Sequence, residues 1–355
     1  MVAIHDLLKV GVQGGASDII LKVGRVPTFR HLGDLVPLTD GNVISSDQMN
    51  QWVKTLLNKK LLQKLDEGHD VDMGFQGEVG RFRVNIFRQM GSHSMVIRPI
   101  PMSIKTLEEL QLPSIISKMA MKQRGLVLVT GATGSGKSTT LAAIVQAVNQ
   151  HRKAHIITIE DPVEYMFQDQ QSTIQQREIP SDAPSFELAL KSALRQNPDV
   201  IMIGELRDME SARFALLAAE TGHLVLTSLH TLDAASTLSR VLNWFPPHHH
   251  EMCRTQLANT LQMIVSQRLL EKKNRRGCAV ATEVMAINHS IRDYIQIGNF
   301  QVLPDVIKEG SHHGMHTFDQ SIYQMYEKGI VSREAAMKHA TSQENLELMM
   351  SHIAG

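Results

Sequence analysis

Cysteine is almost absent from this sequence: 355 residues hold two, Cys253 and Cys278, and no CxxC pair. That excludes a disulfide scaffold and a four-cysteine zinc knuckle, and suits a reducing, cytosolic compartment. Net charge is missing as well. Lysine plus arginine number 36 and aspartate plus glutamate 36, so bulk charge calls for neither nucleic acid nor anionic lipid as the main partner. No stretch of eighteen apolar residues occurs, and the opening MVAIHDLLKVGVQGG lacks the positive segment, hydrophobic core and cleavage site of a leader. Any membrane role is therefore expected to be peripheral.

What is present divides into two parts. The length suits two domains, each with its own core, and the pattern changes near residue 100. Over 1–100, the period-two runs SDIILKVG, DVDMGF and GRFRVNIF predict strands around one helix, SDQMNQWVKTLLNKKLLQKL, where Met49, Trp52, Val53, Leu56, Leu57, Leu61, Leu62 and Leu65 mark one buried face. In GRFRVNIF, Phe82, Val84 and Ile86 face a core while Arg81, Arg83 and Asn85 face the other way, with Arg88 and Arg98 near in sequence. The alternative to a functional basic face is a solvated sheet surface with scattered ion pairs, and periodicity leaves both open. The proline-bearing stretch RPIPMSIKTLEELQLP then reads as a connector leading into a helix.

From 101 to 355 the chain alternates strands GLVLVT, HIITIE, VIMIG and LVLTSL with helices opening at Gly136, Ser185, Met209 and Ala234. Such crossover units build a largely parallel sheet. At the first strand-to-helix junction stands GATGSGKST, residues 131–139, which satisfies GxxxxGK[ST] in the context that the motif requires. Gly131, Gly134 and Gly136 allow a tight turn with inward N–H groups, and Thr133, Ser135 and Thr139 complete the loop. Lys137 reaches the β and γ phosphates of ATP, and Ser138 offers its hydroxyl to Mg²⁺.

Hydrolysis needs carboxylates at the ends of neighbouring strands. VIMIGELRD ends an apolar run in Glu205, able to hold Mg²⁺ through water or to polarise the attacking water. ITIEDPVEY puts Glu160, Asp161 and Glu164 just beyond strand 155–159, where three carboxylates call for a cation; acidic caps on a helix N-terminus are the plainer reading. ETGHLVLTSLHT carries His223 and His230 at opposite ends of a strand, roughly 20 Å apart when extended, so one metal ion cannot take both. His230 shares the rim of the P-loop, as a γ-phosphate sensor or hydrogen-bond relay. His223 is assigned to a neighbouring subunit or a backbone carbonyl. The histidines of PPHHHEM and SHHGMH are expected in exposed loops.

GATGSGKST, TIEDPVEY, PDVIMIGELRD and AAETGHLVLTSLHT together resemble the Walker A loop, acidic box, Walker B and histidine box of the secretion-type P-loop ATPases. Through GASDIILKVG, GRFRVNIFRQ, FPPHHHEMCRTQLANTLQMIVSQRLL and GMHTFDQSIYQMYEKGIVS the whole chain is similar to the type IV pilus retraction ATPases among them. The resemblance implies an α/β fold, a RecA-like P-loop ATPase domain (101–355) preceded by a smaller α+β PAS-like domain (1–100). It implies a cytoplasmic homohexamer, peripherally associated with the inner membrane and using ATP and Mg²⁺. Its implied partners are the inner-membrane platform protein of the pilus machine and a paralogous retraction ATPase, with no nucleic acid. Glu205 would be the Walker B glutamate, Glu164 a candidate water activator, and His223 and His230 the histidine pair. Arg81, Arg83 and Arg98 match basic positions that can approach nucleotide.

Extension ATPases share the four motifs but usually add a longer N-terminal region and a CxxC…CxxC zinc element, neither of which is seen here. An assembly or secretion-type ATPase, a RecA-like nucleic-acid motor and a nucleotide-switched scaffold are the alternative readings. Where retraction ATPases carry AIRNLI, this chain has HSIRDYIQIG at 289–298, keeping Ile291 and Arg292.

Overall fold

Alternation rules the first hundred residues of the computed structural model, which describes residues 3–351 apart from 32, 40, 102 and 276. The strands β1 (Asp18–Lys22), β2 (Thr28–His31), β3 (Asp34–Pro37), β4 (Val71–Gly77), β5 (Gly80–Gln89) and β6 (Ser92–Pro99) form an antiparallel sheet in the order β3-β2-β1-β6-β5-β4. Along β5, Phe82, Val84 and Ile86 are fully buried, and they pack with Ile19, Leu21, Met49, Trp52, Met95 and Ile97. Burial of each such side chain contributes about 1.5–3 kcal/mol. Arg81, Arg83 and Asn85 lie half-buried on the opposite face. Arginines of this region are ion-paired inside it: Arg83 with Asp72 at 2.6 Å, Arg98 with Asp18 at 2.8 Å, Arg88 with Asp66 at 3.4 Å and Arg30 with Asp18 at 3.7 Å.

One expectation is corrected here. The stretch read as a single helix is two, Ser46–Leu56 and Lys59–Asp66. Leu57 leaves the helical region with ψ 138°, and the Asn58 side chain accepts a hydrogen bond from the Leu61 N–H at 3.0 Å. A free N-terminal donor satisfied by a capping asparagine explains the break without any glycine or proline.

The rest of the chain builds a second sheet. Its strands are β7 (Gly125–Gly131), β8 (His155–Glu160), β9 (Thr173–Glu178), β10 (Val200–Ile203), β11 (Leu224–Leu229), β12 (Leu261–Glu271) and β13 (Cys278–Ala286), in the order β13-β12-β7-β11-β10-β8-β9. Neighbours run parallel except for the β12–β13 hairpin. The edge strand β9 and this hairpin were not foreseen from the sequence. Every residue of β7, β10 and β11 is buried. Since successive side chains point to opposite faces, both faces of these strands are covered. Ile159, Ile203, Thr227 and Leu128 stand in register, so the segments leaving β8, β10, β11 and β7 emerge on one rim.

A smaller apolar cluster closes the far side of the hairpin. Leu270, Ala279 and Ala281 meet Phe318, Ile322, Val331, Ala336 and Leu346, and the Arg268 guanidinium lies 3.9 Å from the centre of the Phe318 ring. The histidine runs are more ordered than expected. His248 and His249 belong to a 3₁₀ turn, Pro247–His249, His312 and His313 to another, Ser311–His313, and His316 Nε2 lies 2.8 Å from the Thr282 hydroxyl.

Contacts along the chain divide it into two compact units. One runs to Ser103 and takes in Pro162–Met166; the other comprises Ile104–Asp161 and the chain from Phe167 onward. Among the described residues no helix is long and apolar enough to cross a membrane.

Candidate nucleotide site

β7 ends in the glycine-rich loop, and the helix Lys137–His151 follows. Gly131 is required twice over: its φ is +146°, and a Cβ there would stand 2.5 Å from Ser135 Oγ and 2.6 Å from the Gln267 carbonyl oxygen. Gly136, with φ +89°, opens the helix from the left-handed region. The loop thus turns tightly against β12, and the N-terminal N–H groups of a long helix point out of it. Ser135 Oγ is buried and has no hydrogen-bond partner among the described residues. A buried hydroxyl left so costs about 1–3 kcal/mol, which an arriving oxygen acceptor would relieve.

Lys137 is 8% exposed and its ammonium is already engaged. It donates to the carbonyls of Gly131 at 2.9 Å and Ala132 at 3.0 Å, and its third neighbour is His230 Nδ1 at 3.3 Å. An ammonium only donates, so Nδ1 must be the acceptor. The ring proton then sits on Nε2, which faces Glu205 Oε1 at 3.2 Å. The other oxygen of Glu205 takes the Arg207 Nε–H at 3.2 Å, and Arg207 Nη1 reaches Asp161 Oδ2 at 3.4 Å. The Arg207 guanidinium also lies 5.9 Å from the Phe186 ring centre.

A continuous string therefore crosses the rim: Lys137, His230, Glu205, Arg207, Asp161. Its order is that of the strands that carry it, β7, β11, β10 and β8. Local bonds hold the carriers in place. The Ser228 hydroxyl donates to the Gly204 carbonyl at 2.6 Å, the Leu206 N–H to the Ser228 carbonyl at 2.9 Å, and Asp208 caps the next helix through Ser211.

A family model described as Type II/IV secretion system protein matches residues 8–352. The chain belongs to that family. Among relatives, it is 40% identical over 347 residues to the type IV pilus ATPase PilU of Pseudomonas aeruginosa, covering 98% of this chain and 91% of PilU. It is also 40% identical over 343 residues to the type IV pilus retraction ATPase PilT of the same organism, covering 96% and 99%. A crystal structure of the pilus retraction motor PilT with bound ADP superposes with a TM-score of 0.92 at 39% identity, covering 98% of this chain and all of that one (100%). The α/β fold with its parallel sheet is thus that of the secretion-system ATPases.

Within this secretion-system protein the residues singled out from sequence fall into separate groups. Lys137, Glu205 and His230 are joined directly. Ser138 and Thr139 are half-buried in the first turn of the P-loop helix, while Thr133 is exposed. Glu160 does not lie beyond β8 as expected but is its last residue; it is buried and accepts from the Thr158 hydroxyl at 2.7 Å. His223 sits at the opposite end of β11 from His230, with Nδ1 2.9 Å from the Ala218 carbonyl oxygen. Glu164 belongs to the short segment Pro162–Met166 grouped with the N-terminal unit, whose main stretch holds Arg81 and Arg83.

One participant and one link escaped the sequence reading. Gln267 on β12 lies under the loop and donates to Thr140 Oγ1 at 2.7 Å. Arg207 was visible beside Glu205, but its tie to Asp161 spans 46 residues of chain and no local pattern signals it.

Glu283 on β13 is buried and accepts the Ala234 N–H at 2.9 Å, at the start of the helix that follows the His230 loop. Burial pushes its carboxyl up to about 7 from the usual 4.5, with Asp233 and Asp319 adding to the rise and the Ala234 N–H and Arg268 opposing it.

Proposed function

We propose that the chain hydrolyses ATP with Mg²⁺ and works as a hexameric motor powering type IV pilus retraction and twitching motility. The observation that carries this reading is the string from Lys137 to Asp161 beside a P-loop, in a chain so similar along its length to PilU and PilT. Phosphates entering the loop draw Lys137 from the Gly131 and Ala132 carbonyls and from His230 Nδ1. His230 keeps the Glu205 carboxylate oriented through Nε2–H. The hydroxyl of Ser138 and the carboxylate of Glu205 are hard oxygen donors that suit Mg²⁺, which would neutralise charge on the phosphates. Glu164 serves as candidate activator of the attacking water, and Arg81 and Arg83 supply positive charge to the γ-phosphate. His223, remote from His230, acts at a neighbouring subunit.

The partners in this reading are five further copies of the chain, the inner-membrane platform protein and a paralogous retraction ATPase, at the cytoplasmic face of the pilus machine. Phosphate release tests the chemistry. Lys137→Ala loses nucleotide binding and turnover, whereas Glu205→Ala keeps more binding than turnover; wild-type turnover in the Glu205 variant defeats its role. Light scattering with nucleotide is expected to find a species of six chain masses, and a strict monomer rejects the ring. Live imaging of labelled pili in a deletion strain decides direction. Pili that persist but no longer shorten support retraction, loss of pili supports an extension motor, and retraction with altered force alone supports the accessory role of a PilU-like protein.

A further inference from the structure

We propose that Arg207 is a positioning residue that occupies Glu205 in place of the divalent cation and sets how much Mg²⁺ the site needs. The inference rests on the reading of the rim as a Mg-nucleotide site. Both oxygens of Glu205 are engaged: Oε1 by His230 Nε2 and Oε2 by Arg207 Nε, each at 3.2 Å. Glu205 is 24% exposed on its side chain, so it is only partly hydrated, and the neighbouring guanidinium replaces water as its counter-charge. A cation approaching Oε2 meets Arg207 first and must compete with it, since both seek the same lone pairs.

Arg207 has somewhere to go. Asp161, 39% exposed, holds its Nη1 at 3.4 Å, and the Phe186 ring lies 5.9 Å from its carbon centre. When Glu205 turns to the cation, Arg207 keeps one carboxylate and one aromatic face, so the exchange costs one bond rather than a stranded charge. Arginine suits this role better than lysine: Nε and Nη1 point in fixed and different directions, allowing one side chain to serve two carboxylates. Asp161 thereby biases the competition, because whatever draws Arg207 towards β8 frees Glu205 on β10.

The test uses the full chain and a fluorescent ADP analogue, titrated with Mg²⁺ at fixed nucleotide. Arg207→Gln is expected to lower the half-saturating Mg²⁺ concentration roughly threefold to tenfold, as removal of a close, partly exposed cation predicts. Arg207→Lys returns the midpoint only part of the way to wild type, because a single ammonium keeps the charge but not the two fixed directions that serve Glu205 and Asp161. Asp161→Asn moves the midpoint the other way, upward, since Arg207 is then left to Glu205 alone; it carries the test if Arg207→Gln does not fold. An unchanged midpoint in Arg207→Gln, or a downward shift in Asp161→Asn, overturns the inference. Failure of the wild-type chain to bind the analogue at any Mg²⁺ concentration overturns instead the reading of the site.

Discussion

His230 offers a substitution whose effect can be apportioned atom by atom. Its Nε2–H holds Glu205 and its Nδ1 receives Lys137, so alanine removes both links of the string at once. A hydrogen bond to a charged group contributes about 1.5–3 kcal/mol when shielded. Here His230 is 44% and Glu205 24% exposed on their side chains, and solvent screening reduces the Glu205 bond to about 1–2 kcal/mol. If that bond serves the transition state, His230→Ala slows turnover about fivefold to thirtyfold. The two amide isosteres separate the contributions. Glutamine places an N–H near the position of Nε2 and is expected to recover most of the rate, whereas asparagine places its oxygen near Nδ1 and recovers little. Phosphate release at saturating Mg-ATP is the assay, with nucleotide affinity measured alongside. Turnover within twofold of wild type in His230→Ala, or a faster asparagine than glutamine variant, refutes the tautomer and the role derived from it.

Glu283 gives a pH prediction. Its carboxyl holds a proton up to about pH 7 in the folded chain but only to about 4.5 when unfolded, so across that window the folded state binds more protons and stability falls as pH rises. Glu283→Gln keeps an acceptor for the Ala234 N–H and removes the titration; its stability relative to wild type, by urea denaturation at pH 5 and pH 8, is expected to improve by up to about 3 kcal/mol at the higher pH, and parallel pH profiles for the two proteins reject this. Ser135→Ala deletes a buried hydroxyl with no partner, so the nucleotide-free protein is expected to melt no lower than wild type and about 2–4 °C higher if about 1 kcal/mol is gained, while ADP binds more weakly. A lower melting temperature with unchanged ADP affinity contradicts the assignment of that hydroxyl to phosphate.

Much of this site was legible because its signals are local. The P-loop is contiguous, Glu205 ends an unbroken apolar strand, and the run LVLTSL is the strand Leu224–Leu229 itself, which set His223 and His230 apart before any coordinates. What failed to show depends on partners distant in sequence or on parity. Glu160 was grouped with Asp161, yet β8 extends one residue further, so Glu160 shares a face with Thr158 and is buried while Asp161 reaches Arg207. The break at Leu57 was written in the sequence as a capping asparagine, but an uninterrupted apolar stripe masked it. β9, Thr-Ile-Gln-Gln-Arg-Glu, has too few apolar residues to announce a strand, and only the edge of β8 gives its backbone a partner.

That same edge bears on how many copies can crowd together without fusing. β9 ends the sheet in the order found, and an edge strand's outer backbone groups are a template on which another chain could add. Thr173 and Gln175 are exposed, and Arg177 folds back to donate to the Ala189 and Asp182 carbonyls, so the margin of the sheet is polar and occupied by the protein's own side chains. At the opposite margin, helix Phe318–Glu327 packs against β13. Margins of this kind resist the joining of sheets from separate chains into one continuous ribbon.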